Sequence, residues 1–437
     1  MSVNVDGASG VTRQSTGSGR APRAAAGRGR IVILALLFAV TAINYLDRSN
    51  LSIAMPHIKE EFGLSATQQG LLLSSFSWAY VVAQLPGGLF VDRVGPRVAY
   101  AWAIVTWSVA TAATFLTRGF ASVLGARLAL GAAEAPSYPA NNALVTKWFP
   151  SSERARATSV YIAGQFIGLA VALPLLSLIV ASFGWRSVFV FTGMLGIVFV
   201  VLWLRLARDT PPADGPEAAR APESAKARIS RSDVRYLLSR KRLWGLYISQ
   251  FCSNGVMWFF LTWFPTYLVE AKGITFIRAG FMGMVPYLAA LCGVLLSGWW
   301  SDRLLRSGVS TTRARKVPIM TGFTLATVIV LANYTSAPGL IIAVMSVAFF
   351  AQGLSAIGWT LASEVIPLRM IGTGGGMFNL FTNMGGALVP LVIGVILDAT
   401  GSFNGALVFM ACLTVCGLLS YLLLIDRVER LDPDASR

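Results

Sequence analysis

The chain has 437 residues, of which 55% are apolar and 13% charged, about half the charged fraction of an average soluble protein. Stretches of 18 or more residues almost free of charge recur from end to end, and each is long enough to cross a bilayer as a helix. A soluble globular enzyme is excluded. Backbone groups in lipid must be paired internally, so repeated spans of this kind mean a helical bundle.

In chain order, residues 1–30 hold Gly, Ser, Ala and Arg without an apolar core, and are expected to be a disordered cytoplasmic tail. No small-residue cleavage pattern follows the first hydrophobic run, so they do not read as a signal peptide. Twelve spans are predicted, at 31–55, 67–91, 97–117, 119–142, 155–181, 186–206, 243–269, 278–300, 316–335, 338–362, 370–396 and 402–425. The polar stretch 207–242 cannot bury a core and divides them six and six. The expected fold class is an all-α polytopic membrane protein with twelve transmembrane helices in two six-helix halves. The halves cover 31–206 and 243–425, joined by a cytoplasmic linker over 207–242 and followed by a cytoplasmic tail over 426–437.

The net charge is +16, with 36 Lys and Arg. If the amino terminus is cytoplasmic, only Lys59, Arg118, Arg186, Lys272 and Arg278 reach the opposite side, and Arg48 and Arg127 fall inside spans. This bias places both termini in the cytoplasm. The basic surplus is a topology signal with an attraction for anionic lipid, not a nucleic-acid footprint. The four cysteines (Cys252, Cys292, Cys412, Cys416) lie in spans, with no metal-ligand spacing to the single histidine, His57. They are read as small packing residues, and no metal is expected.

Span 1 contains "NYLDR", with Asp47 and Arg48 adjacent in an apolar run. Span 4 contains Arg127 and Glu134. An ionisable side chain at mid-bilayer costs roughly 2.5–3.5 kcal/mol on insertion scales and is a functional candidate by default. A mutually neutralised cluster that merely holds helices together is the bland alternative, and a poor source of stability. Arg127 and Glu134 are two turns apart on one face, about 10 Å along the axis. Tyr45 and Arg48 also share a face, whereas Asp47 points about 100° away from Arg48, so the two neighbours are expected to serve different tasks. Arginine can bind a carboxylate bidentately. A carboxyl in apolar surroundings favours its neutral form and can carry a proton near neutral pH. Arg48 and Arg127 are therefore the expected anion ligands, and Asp47 and Glu134 the proton carriers. Pro136 and Pro139 must break backbone hydrogen bonding beside Glu134.

After span 2 comes "GGLFVDRVGPR", and after span 8 "SGWWSDRLLRSG". The first, with Gly88, Asp92, Arg93, Gly95 and Arg97, resembles the loop signature of the major facilitator superfamily; Gly298, Asp302 and Arg303 form a weaker copy. Each glycine is expected to allow close helix contact, while Asp and Arg pair as a latch on the cytoplasmic side. "NYLDR" with "GAAEAPSYP" (131–139) resembles the anion:cation symporter branch of that superfamily, which includes bacterial carriers of galactonate, glucarate and hexuronates. The resemblance covers residues 31 to 425. It implies proton coupling by Asp47 and Glu134, substrate carboxylate binding by Arg48 and Arg127, and alternating access between two halves.

Further substrate-binding candidates are Tyr45, Tyr80 in span 2, Gln165 in span 5, Trp359 and Ser363 in span 10, and Asn379 and Asn383 in span 11. Tyr80 and Gln165 match polar positions near that family's cavity. Asn379 and Asn383 share a face suited to hydroxyl recognition or to helix–helix hydrogen bonding. Glu364 is expected in a loop or gate salt bridge, and Gly164 with Gly168 in helix packing. The expected function is proton-coupled import of an organic anion, foremost a sugar acid (aldonate, aldarate or hexuronate). No cofactor is expected beyond a proton gradient, and the expected state is a monomer in a bacterial inner membrane. Import of aromatic acids such as phthalate, proton antiport or export, and a non-transporting nutrient receptor stand as alternatives.

Overall fold

A computed structural model describes residues 21–210 and 231–432. Most of the predicted amino-terminal tail (1–20), the middle of the linker (211–230) and the end of the tail (433–437) lie outside the described residues. The first half comprises α1 (Ala21–Phe62), α2 (Ala66–Val94), α3 (Pro96–Ala113), α4 (Phe120–Glu134), α5 (Ser137–Trp148), α6 (Ser151–Phe183) and α7 (Trp185–Leu206). The linker contributes α8 (Arg231–Ser239). The second half comprises α9 (Lys241–Thr262), α10 (Phe264–Thr266), α11 (Phe276–Arg306), α12 (Thr311–Ala326), α13 (Pro338–Leu354), α14 (Gly358–Val365), α15 (Ile371–Thr400) and α16 (Phe403–Leu423). Pairs α4–α5, α9–α10 and α13–α14 each make one span, and Thr327–Tyr334 extends α12 as a 3-10 helix. Twelve spans in two halves result. α1 starts at Ala21 rather than at 31, because the run "APRAAAGRGR" supplies helix-forming alanines behind a proline in the first turn.

Among the described residues, nine helical stretches are long and apolar enough to cross a membrane. The other three spans are α2, α4–α5 and α9–α10. Their interiors are polar or broken, with Ser74, Ser75 and Ser77 in α2, Arg127 and Glu134 in α4, and Ser253 and Asn254 in α9. These are the spans on which the centre of the molecule depends.

The halves meet through α2 on α15, α6 on α11, and α1 on α9 and α10. Small residues allow the contact: a methyl at Gly70 would run into the Pro390 carbonyl, and one at Gly394 into the Ala66 carbonyl. Polar latches add to this on the side of the membrane away from the termini, the far side. Lys59 Nζ donates to Glu270 Oε2 at 2.7 Å. The Asp398 carboxylate of α15 accepts from Ala66 N at 2.8 Å and Thr67 N at 2.7 Å, capping the positive end of α2. Nearer the middle of the membrane, Trp78 Nε1 donates to Ala387 O at 2.7 Å. The helix contacts and latches between halves named above do not extend to the terminus side, where Val82 and Leu85 are 78% and 66% exposed. The molecule is closed on the far side and parted on the terminus side.

The loop signatures depart from expectation. Gly88 and Gly298 face open space, and the close approach is made instead by Gly87, against Ala135 and Pro136. Asp92 and Arg93 are exposed, with no hydrogen bond or ion pair among the described residues. Asp302 pairs with Arg315 at 3.6 Å and not with Arg303, which lies over the Trp299 ring at 5.6 Å. Gly95 adopts φ 85° at the turn into α3, and Arg97 N donates to Asp209 Oδ1 at 2.8 Å. A latch between halves has nothing to grip while the terminus side is parted.

The segment after α16 is pinned across the second half. Lys316 Nζ donates to Ile425 O at 2.6 Å, Val428 N to Thr312 Oγ1 at 3.0 Å and Leu431 N to Val365 O at 2.9 Å. The hydrogen bond from Arg242 holds the Asp426 carboxyl well below its ordinary value of 3.8.

Two outcomes test this fold. Valine at Gly394 overpacks the α2–α15 contact, which typically costs about 1–3 kcal/mol. Spin labels at the exposed positions 60 and 399 should then move apart, and an unchanged distance would count against close packing as the far-side closure. Because Asp426 titrates lower when folded, its contribution is complete above pH 3.8 and disappears only below it. Val428 and Leu431 amides should therefore keep their hydrogen-exchange protection from pH 8 to pH 5, after correction for intrinsic rates, and lose it in Asp426→Asn.

Candidate functional site

The site is built where α1 crosses α4 and α2. Pro136 and Pro139 cannot donate to Ala132 O and Ala135 O, so α4 ends at Glu134 and α5 restarts at Ser137. This break places the Glu134 carboxyl at a helix end, fully buried. In α1, Ser49 and Ser52 turn their hydroxyls back to Leu46 O and Ser49 O, so the demanding polar groups at this level are Asn44, Asp47, Arg48 and Asn50.

Arg48 Nε donates to Glu134 Oε2 at 2.8 Å, and both side chains are almost wholly buried. The guanidinium carbon sits 4.7 Å from the Tyr45 ring centroid, 4.6 Å from Phe76 and 5.2 Å from Tyr80. Three π faces thus replace part of the hydration that arginine lost on burial. Arg127 uses the same Phe76 ring, at 5.6 Å, and its Nη2 lies 3.5 Å from Arg48 O. It has no carboxylate within ion-pair distance among the described residues. One phenyl ring therefore spaces two buried cations.

Asp47 leaves α1 in another direction, as its 100° offset requires. Asn50 Nδ2 reaches Asp47 Oδ1 at 3.4 Å and Thr192 Oγ1 of α7 at 2.6 Å. Asp47 remains within electrostatic reach of Arg127 and Glu134. Four charged atoms of this cluster are buried without a hydrogen-bond partner: Asp47 Oδ2, Glu134 Oε1, Arg48 Nη2 and Arg127 Nε. Native interiors rarely tolerate such groups without a functional reason. Two are donors suited to an anion, and two are acceptors suited to a proton or a hydroxyl.

A polar chain leads from this cluster to the second half. Tyr45 Oη lies 3.3 Å from Tyr138 Oη, Tyr138 Oη donates to Gln165 Oε1 at 3.4 Å, and Gln165 Nε2 is 4.0 Å from Met257 Sδ of α9. The structure thus gathers Tyr45, Asp47, Arg48, Tyr80, Arg127, Glu134 and Gln165. Asn379 and Asn383 are not tied to them: Asn383 Nδ2 donates to Asn379 O at 2.9 Å and to its Oδ1 at 3.0 Å, within one helix. Trp359 packs edge-on against Phe378, with centroids 4.7 Å apart, and is 47% exposed. Ser363 donates to Thr360 O of its own helix. Among the described residues no contact joins these two to the charged cluster. Glu364 makes the expected salt bridge, to Arg315 at 2.8 Å. Gly164 and Gly168 pack on Phe38 and Ala42 of α1. Cys252 is buried as a packing residue, but Cys292, Cys412 and Cys416 are exposed thiols.

Sequence reasoning missed Phe76, Tyr138, Asn50 and Thr192. Phe76 and Tyr80 stand i,i+4 on α2 and stack at 5.6 Å, which was a legible helical-face signal. Tyr138 stands between the two prolines beside Glu134. For Thr192, alone in an apolar span, there was no signal.

Residues 37–390 match the model of the Major Facilitator Superfamily. The chain is 43% identical to the "D-galactonate transporter" of Escherichia coli O6:H1 over 92% of its length and 97% of that protein's. It is 40% identical to the "Probable galactarate/D-glucarate transporter" of Bacillus subtilis, over 93% and 96%. Among solved structures it superposes on a bacterial homologue of the human lysosomal transporter Spinster, inward-facing and occupied, with a TM-score of 0.75 at 18% identity, covering 92% of this chain and 99% of that one.

Removing one partner of a buried ion pair costs about 3–5 kcal/mol, whereas replacing both by apolar groups costs far less. Glu134→Ala should therefore lower the thermal stability of the purified protein more than the double variant Arg48→Met/Glu134→Leu does. The reverse order would show that the pair is not closed in solution.

Proposed function

Since the chain belongs to the major facilitator superfamily, we propose that it is a proton-coupled symporter that imports a sugar acid (an aldonate, aldarate or hexuronate) by alternating access. It is a multi-pass membrane transporter, not an enzyme. The observation that carries the reading is the arrangement of two buried arginines around one ring, with Arg48 paired to Glu134 and Arg127 without an acid partner. That arrangement offers a carboxylate a second cation at once and the first one on release. The relatives, named for galactonate and for galactarate and glucarate, support a substrate with a polyhydroxylated chain and a terminal carboxylate.

In this mechanism a proton on Glu134 removes its charge and loosens Arg48, whose fork then turns to the substrate carboxylate together with Arg127. Asp47, held towards Thr192 by Asn50, takes a proton on the other face of α1 and so keeps the count of charges in balance. Tyr45, Tyr80, Tyr138 and Gln165 supply hydroxyl and amide partners for the sugar hydroxyls, and Asn383 with Asn379 supplies others from the second half. The loaded carrier closes outside and parts inside, which is the disposition of the two halves described above if the terminus side is cytoplasmic. Lower proton activity inside then discharges the acids, Glu134 recaptures Arg48, and the substrate leaves. The protein works as a monomer in a bacterial inner membrane with both termini in the cytoplasm, driven by the proton gradient alone.

The test is uptake of labelled galactonate, glucarate, glucuronate and phthalate into vesicles, each with and without an imposed proton gradient. One sugar acid should accumulate, and faster as the outside pH falls below the inside pH. Uptake indifferent to the gradient would overturn the coupling, and preference for phthalate would overturn the substrate class. Glu134→Gln should abolish gradient-driven accumulation while leaving substrate exchange; equal loss of both would remove Glu134 from the coupling role.

A further inference from the structure

On the far side the closed halves line a half-open cavity of about 590 Å³ that the central cluster does not reach. Its polar lining includes Lys59 and Gln69 from the first half, and Glu270, Lys272, Asp398 and Asn404 from the second. The volume falls within the range of small-molecule sites. Topology makes the two lysines notable. The far side receives only five Lys and Arg, and one of them, Arg186, is committed to Glu61. Two of the remaining four converge on this cavity, between the halves.

The two cations are in different states. Lys59 is paired with Glu270 across the halves at 2.7 Å, in the one salt bridge between halves among the described residues, and both side chains are partly exposed. Lys272 Nζ donates to Ala332 O at 2.6 Å and Thr335 O at 2.9 Å, with no carboxylate within ion-pair distance among the described residues. An ammonium has three donors, so one of them and the full charge remain for a ligand. Gln69 is 1% exposed and its Oε1 has no partner, while its Nε2 reaches Leu64 O and Ser65 O only at 3.5 and 3.4 Å. A buried acceptor left open in this lining calls for a donor such as a hydroxyl.

We propose that this cavity is an outer receiving site for a hydroxylated carboxylate, built from Lys272, Lys59 and Gln69. The inference rests on the import reading above and deepens it. The carboxylate meets Lys272 and competes with Glu270 for Lys59, and a hydroxyl of the same molecule donates to Gln69 Oε1. Loss of the Lys59–Glu270 pair removes the cross-half salt bridge, so substrate outside promotes opening of the side it must enter. Asp398 stays bound to the α2 amides and repels a second carboxylate, which favours one orientation of the ligand.

The experiment compares half-saturation for labelled galactonate and glucarate from the two sides, using right-side-out and inside-out vesicles. Lys272→Gln removes the charge and leaves a shorter, neutral polar side chain. It should raise the outer half-saturation concentration roughly three- to tenfold, as expected for loss of one charge-assisted hydrogen bond, and leave the inner value unchanged. Gln69→Leu should act in the same direction, and Lys272→Arg should restore the outer value. An outer value unaltered in both Lys272→Gln and Gln69→Leu, or inner and outer values shifted equally, would overturn the receiving site. Wild-type vesicles that take up neither acid would instead overturn the import reading itself.

Discussion

Two arginines and two carboxylates at membrane depth impose the constraint on which this structure depends. Lipid offers them no solvation, so each must find compensation inside the bundle. Arg48 takes Glu134 and three aromatic rings, Arg127 shares one of those rings, and Asp47 is reached by Asn50 from the next turn of its own helix. Much of the local architecture follows. The proline break after Glu134, the polar interior of α2 and the aromatic pair Phe76–Tyr80 all serve to make a place for charge. Compensation is incomplete, since each charged group retains an atom without a partner. A merely structural cluster would gain by closing those gaps; under the proposed function, a site that accepts and releases an anion keeps them open.

The second constraint lies between the halves. A carrier needs an interface that holds firmly in one arrangement and can still be exchanged for another. Here the far side is held by contacts that are short but individually weak: glycines against backbone carbonyls, a helix end capped by a carboxylate from the other half, and one half-exposed ion pair. None buries an isolated charge when it parts. The terminus side, by contrast, leaves Asp92 and Arg93 exposed and α2 uncovered. The loop signature takes no part in the closure this structure shows.

The sequence was a good guide where the physics is local or is set by the membrane. Span number, the six-and-six division and the break after Glu134 follow from hydropathy, linker composition and proline. The i,i+3 spacing of Tyr45 and Arg48, and the offset of Asp47, correctly placed them on different faces of α1. The glycines were less legible: Gly87 and not Gly88 makes the close approach, because one residue turns a helix by 100° and the loop pattern alone does not say which face meets a neighbour. Likewise the i,i+4 spacing of Asn379 and Asn383 was seen, but not that they would bond to each other first.

What the sequence determined by itself was the solvent, the number of crossings, and which residues carry a charge that lipid will not tolerate. These depend on composition and on helical period, which need no partner. Tertiary structure alone decided which charge meets which. Arg48 and Glu134 are 86 positions apart, Asn50 and Thr192 142 apart, and Lys59 and Glu270 211 apart. A pairing between helices is chosen by their relative rotation and depth, and those are fixed by packing of small residues along the whole bundle, not by any local run of the chain.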